Sequence, residues 1–186
     1  MTLAHGIYAK FTGPKSCPDC HWYAIYADKL IADNFDIGIL ISHADSSIPV
    51  HFYLTWIFTL ALIKLLFGFA WQSGALYFNI FVNLMIITTA VLTVYRASQA
   101  SLISAMATGL LLLVAIEHML WIPFPLTDIS YEAISLCSLT LLYYALTSAS
   151  TRLRLGFGSG VFFFVFVAMF SRPTSPVLVV AILCSC

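Results

Sequence analysis

One carboxylate stands in unusual company near the start of the chain. Asp19 lies in the run Cys17-Pro18-Asp19-Cys20-His21-Trp22-Tyr23, inside a polar leader that precedes nearly uninterrupted apolar sequence. A carboxylate placed just before a membrane span can take a proton from a hydroxyl at the lipid surface, where aromatic neighbours such as Trp22 and Tyr23 are at home. The same run also spells Cys-x-x-Cys-His. That pattern attaches haem, with Cys17 and Cys20 as thioether donors and His21 as the axial ligand of iron.

Composition decides what kind of molecule must position these groups. Of 186 residues, 61% are hydrophobic and 9% charged, against roughly 25% charged in soluble domains, and the mean hydropathy is +0.98. This is the composition of an integral membrane protein. A spanning helix needs about 20 mostly apolar residues, and residues 49–70, 74–95, 101–122 and 131–148 supply four such stretches. A fifth apolar region, 160–186, is interrupted by Ser171-Arg172-Pro173-Thr174-Ser175-Pro176, so a kinked helix or two partial ones are expected there. The fold expected is all-α, a polytopic transmembrane bundle of four to six membrane segments in residues 49–186, with a leader of residues 1–48.

The formal charge is zero but unevenly spread. The leader sets Lys10, Lys15 and Lys29 against Asp19, Asp28, Asp33, Asp36 and Asp45, a net of −2, and the remainder sets Lys64, Arg96, Arg152, Arg154 and Arg172 against Glu117, Asp128 and Glu132, a net of +2. No basic block of the kind that tracks a phosphate backbone is present, so nucleic acid is not an expected partner; the lipid bilayer is. Residues 1–16 contain no apolar core of a signal peptide, and the chain stops within apolar sequence at Cys186. A fragment of a longer membrane protein is therefore expected, one that by itself need not be active. Within the leader, Tyr23, Tyr26, Ala27, Leu30 and Ile31 recur at helical spacing across residues 23–40, which predicts a short amphipathic helix on the membrane surface.

Three separated segments together resemble a known family. Pro18-Asp19-x-x-Trp22-Tyr23-x-x-Tyr26-Ala27 and Pro49-x-x-Phe52-Tyr53, leading into a span that ends Leu66-Phe67-Gly68, are similar to the first external loop and next helix of the GT-C membrane glycosyltransferases, the superfamily of the protein O-mannosyltransferases. Pro123-x-Pro125-x-Thr127-Asp128-x-x-Tyr131-Glu132 is similar to their second acidic loop, and Ser171-Arg172-Pro173-Thr174 resembles an Arg-Pro-Thr turn found in several members. The likeness runs from Pro18 to the C-terminus. It implies sugar transfer, of hexosyl or mannosyl type, from a polyprenyl-phosphate donor at the outer face of a bacterial inner membrane or the endoplasmic reticulum. Asp19 would be the catalytic base or acceptor-positioning acid. Trp22 and Tyr23 would stack on substrate, Asp128 and Glu132 would supply further acids or bind a divalent metal, and Arg172 would pair with the donor phosphate. Hard cations need several converging oxygens, and no specific metal ligand is assigned. The chain departs from the family pattern in placing Cys20 and His21 where a second acid is common, and in having no apolar span ahead of Asp19.

Charge and topology pull against each other in this reading. Strict alternation of spans places the leader and residues 96–100 and 151–156 on one side, with six of the eight basic residues, which the positive-inside rule would make cytoplasmic. The family arrangement instead needs both acidic loops on one outer face, so one apolar segment must be re-entrant or interfacial.

Two other functions come from different classes. A membrane-anchored c-type cytochrome would use Cys17, Cys20 and His21 for haem c, although a simple disulfide explains the cysteine pair with fewer demands. A non-catalytic polytopic subunit or transporter piece would place charge near mid-membrane, whereas the acids here cluster at span ends. Asn79 and Asn83, four residues apart in the second span, and Glu117-His118 near the end of the third are intramembrane polar groups; interhelical hydrogen bonding accounts for the asparagines. Lys64 is expected to snorkel, and Gly156, Gly158 and Gly160 to mark close helix packing.

Overall fold

The computed structural model describes residues 18–42, 50–114, 122, 124 and 127–185, and every described element is helical. We number the α-helices α1 Pro18–Ala32, α2 Ile37–Ser42, α3 Leu54–Phe67, α4 Trp71–Ala97, α5 Leu102–Val114, α6 Thr127–Thr147, α7 Thr151–Met169 and α8 Ser175–Ser185. Three continuous helical stretches are long and apolar enough to cross a membrane: Val50–Ala97, Asp128–Thr147 and Thr151–Met169. Their outward faces carry large apolar side chains, such as Phe162, Phe163 and Phe166 on α7, a surface suited to lipid. Among the described residues the chain is all-helical, with three stretches fit by length and composition to cross a membrane.

The leader forms two helices where the periodicity suggested one. α1 opens with Pro18 and places Asp19 in its first turn and Lys29 in its last, each with the sign that the helix dipole favours. It ends because Asn34 and Phe35 take positive φ, 51° and 65°. Asparagine tolerates that region; Phe35 is held in it by its ring, which meets Phe58 edge-on at 5.4 Å. Asp36 then accepts the Ile39 N–H through Oδ1 and starts α2. The apolar face of α1, comprising Cys20, Tyr23, Ala24, Tyr26, Ala27 and Leu30, is buried. It packs on Trp56, Ile57, Leu60 and Ala61 of α3, so this face is spent on protein rather than on lipid.

The 48-residue stretch Val50–Ala97 turns back on itself instead of running straight. A 3₁₀ turn at Val50–Tyr53 leads into α3, and a second at Gly68–Ala70 joins α3 to α4. Gly68 has φ +54° and ψ −126°, a region essentially closed to residues with a Cβ. Beyond the corner, a Cβ on Gly74 would lie 2.6 Å from Phe67 Cδ2 and 3.0 Å from Ile63 Cγ2, and the rings of Trp56 and Phe78 stand 6.1 Å apart. Here α3 lies against the first turns of α4. The expected spanning segment at 49–70 is thus a 14-residue helix folded onto its successor.

From there the chain makes a bundle. α4 and α6 share a core in which Leu76 and Ile86 meet Ile129, Ala133 and Leu136, and α6 and α7 form the most extensive helix pair. Gly160 of α7 sits so close to α6 that a Cβ would meet Leu141 Cδ1 at 2.9 Å. Gly156 and Gly158 face open space, so only Gly160 of the three fulfils the packing expectation. α7 stops before Ser171-Arg172-Pro173-Thr174, and α8 packs back through Leu178 and Ile182 onto Ala168 and Val161, the expected break into two pieces. Of the third apolar segment, Leu102–Val114 is described and is helical; Glu117 and His118 lie outside the described residues. Polar groups in the bundle are absorbed locally, as where Thr88 and Thr93 donate to Leu84 O and Thr89 O.

The bundle has two distinguishable ends. At one, Arg96 lies over the Tyr144 ring at 5.5 Å, Tyr144 meets Phe157, and Arg154 donates to Ser148 O. At the other, the Thr55 N–H donates to Phe170 O at 3.0 Å and Thr55 Oγ1 to Val167 O at 3.2 Å, tying the start of α3 to the end of α7.

The Gly74 contact gives a direct test. Gly74→Ala should destabilise the chain by about 1–3 kcal/mol through overpacking, read as a lowered thermal midpoint in detergent, and Phe67→Leu in the same chain should restore part of the loss.

Candidate functional site

The residues singled out for chemistry divide between two places at the Thr55–Phe170 end. Asp128 opens α6 and Arg172 follows α7, 44 positions later in sequence, and Arg172 Nη2 lies 2.7 Å from Asp128 Oδ1. Their side chains are 37% and 26% exposed, so the pair is reachable from outside. Glu132 is exposed one turn further along α6, on the side that i,i+4 spacing shares with Asp128. The second acidic loop and the Arg-Pro-Thr turn therefore meet. Most of the loop between α5 and α6 lies outside the described residues.

Asp19 and Trp22 stand on the outer side of α1, with Trp22 44% exposed. α1 reaches the same end of the molecule: its Tyr23 ring lies 5.4 Å from Tyr53, two residues before the Thr55 that bonds Phe170. Phe124 of the acidic loop packs against the cluster formed by α1 and α3. Tyr23 itself is only 9% exposed. It is a core residue that fixes α1 to the 3₁₀ turn, and the expected stacking role is corrected accordingly; Trp22 keeps the exposure that stacking requires.

Lys64 was expected to snorkel, and it instead reaches into the protein. Its Nζ donates to Ala24 O at 2.8 Å, pairs with Asp28 Oδ1 at 2.7 Å, and lies 4.8 Å from the centroid of the Trp71 ring, leaving the side chain 9% exposed. An open cleft of about 430 Å³ adjoins it, lined by Asp28, Ile31, Lys64, Gly68, Phe69 and Trp71. No local signal in the sequence joins residues 24, 28, 64 and 71; the α3–α4 corner does. Asn79, fully buried, donates through Nδ2 to Ile122 O at 3.1 Å and Phe124 O at 2.8 Å. In place of the interhelical bond expected, these acceptors are loop backbone carbonyls, and this holds residues 122 and 124 beside α4.

Haem and metal were considered against the same geometry. Cys20 is 3% exposed and disulfide-bonded, so it presents no free thiol in this structure. Cys17 lies outside the described residues. Among the described residues no three His, Cys, Asp or Glu side chains gather as a metal site. Comparison of the chain with protein-family models, curated proteins and solved structures finds no match.

The ion pair is half-exposed, so its worth is modest. Asp128→Asn and Arg172→Gln should each lower stability by about 0.2–1 kcal/mol, and the double variant should cost no more than the costlier single one. A thermal-denaturation double-mutant cycle measures that coupling; strict additivity would mean that the two groups act independently.

Proposed function

We propose that this chain belongs to a glycosyltransferase that moves a sugar from a polyprenyl-phosphate donor to an acceptor hydroxyl at the outer membrane face. The observation that carries the reading is the 2.7 Å Asp128–Arg172 pair at the end of the bundle to which α1 brings Asp19. Two segments that resemble the GT-C pattern are thereby neighbours in space, and the third shares their end.

Each group has a chemical part in this reading. Asp19 accepts the proton of the acceptor hydroxyl as its oxygen bonds to the anomeric carbon. The bond from that carbon to the phosphate oxygen breaks, and the polyprenyl phosphate leaves with the electron pair. Arg172 holds the departing phosphate through its planar fork, and Asp128 orients the guanidinium. Trp22 offers a flat apolar face to the sugar, and Glu132 a further carboxylate for acceptor hydroxyls.

Orientation supports the same reading. A disulfide at Cys20 suits an oxidising compartment on the α1 side.

The test is transfer from a polyprenyl-phosphate sugar to acceptor in native membranes. Asp19→Asn should lower the rate by about 10²-fold or more, the usual size of a general-base contribution, without altering the amount of protein in the membrane. Undiminished transfer by that variant would sink the assignment of Asp19.

A further inference from the structure

α3 is apolar on both sides, and only one side is covered by protein. Trp56, Ile57, Leu60, Ala61 and Ile63 are at most 5% exposed in the core shared with α1 and α4. Phe58, Leu62, Leu65 and Leu66 are 41%, 42%, 55% and 80% exposed, and their spacing of four, three and one puts them along one helical stripe of α3; Phe69, 108% exposed, follows in the corner. Contiguous apolar surface of this kind marks an interaction site.

We infer that the lipid of one leaflet covers this stripe, and that α3 lies at shallow depth in the membrane interface without crossing it. Fourteen residues of helix extend about 21 Å, well short of a hydrocarbon core of about 30 Å. Both ends of α3 are accounted for: its start is bonded to Phe170 at the end of spanning helix α7, and its far end reverses into α4, whose 27 residues suffice to cross alone. Trp71 stands at the corner beside Lys64, and tryptophan favours the headgroup level. The cleft beside them, with Asp28 and Lys64 on one wall and Phe69 and Trp71 on another, has the mixed polarity of that zone.

An interfacial α3 removes one crossing from strict alternation. The leader and the Asp128 loop then share a face, and Arg96, Arg152 and Arg154 take the other. This conclusion stands on the helix geometry and does not require glycosyl transfer.

Site-directed spin labelling in 3:1 phosphatidylcholine–phosphatidylglycerol vesicles tests it. The full-length chain, with its native free cysteines replaced, carries one label at a time at Phe58→Cys, Leu62→Cys, Leu66→Cys or, as a reference on α4, Leu84→Cys, and each variant must keep the unlabelled thermal midpoint. The three α3 labels should all favour collision with oxygen over a water-soluble nickel reagent, at similar depths of about 5–10 Å below the headgroups, while the Leu84 label lies deeper. A depth that passes through the bilayer centre along α3 would overturn the inference in favour of a span. Free collision with nickel would show a water-facing stripe, and dipolar broadening between chains would show that a second copy covers it; either result also overturns it.

Discussion

The reversal at residues 67–74 is the constraint on which the rest of the structure depends. It requires a backbone conformation at Gly68 that a Cβ would oppose and a space at Gly74 that a Cβ would fill. Because the chain turns back there, α3 presents its inner face to α1 and α4 together, and the largest cluster of buried residues forms around Trp56, Ile57 and Leu60. A straight continuation of α3 into α4 would separate Lys64 from Trp71 and leave α1 without its packing surface. The ammonium group of Lys64 then closes the arrangement, since its three bonding partners come from α1 and from beyond the corner. Burying a charge is costly unless it is paired, and this one is.

The reversal also changes which loops share a face. Counting apolar stretches as crossings put the acidic leader on the arginine side. With α3 folded against α4, α1 is joined through Tyr23, Tyr53 and Thr55 to the end that carries Phe170 and Arg172, and the arginines of the 96–100 and 151–156 turns fall at the opposite end. The leader lysines and Arg172 then share the face of the acidic loops, and Arg96, Arg152 and Arg154 take the other.

The two halves of the candidate site differ in how they are built. Asp128 and Arg172 are brought together by the α6–α7 hairpin and the turn that follows it, a local consequence of antiparallel packing in which Gly160 approaches Leu141. Asp19 depends on a longer chain of contacts, from α1 through the 3₁₀ turn at Val50–Tyr53 to α7. Asn79 supplies a further link by holding the backbone at residues 122 and 124 against α4. Side chains that looked chemical in the leader sort by helical position: Cys20 and Tyr23 fall on the buried face, Asp19, His21 and Trp22 on the open one.

Composition and apolar run length by themselves pointed to helices fit to cross a membrane, because a chain with so few charges has little polar surface with which to cover its apolar side chains. Helix-breaking residues likewise announced the interruption between α7 and α8, and the acid, arginine and proline motifs named Asp128 and Arg172. Only the tertiary structure decided that α3 folds back, that the leader breaks at Asn34-Phe35, that Tyr23 is core, and that Asp128 meets Arg172. Hydropathy measures whether a segment can leave water, and it is blind to whether lipid or a neighbouring helix receives it. That choice rests on the backbone freedom of Gly68, the missing Cβ of Gly74 and contacts between residues tens of positions apart.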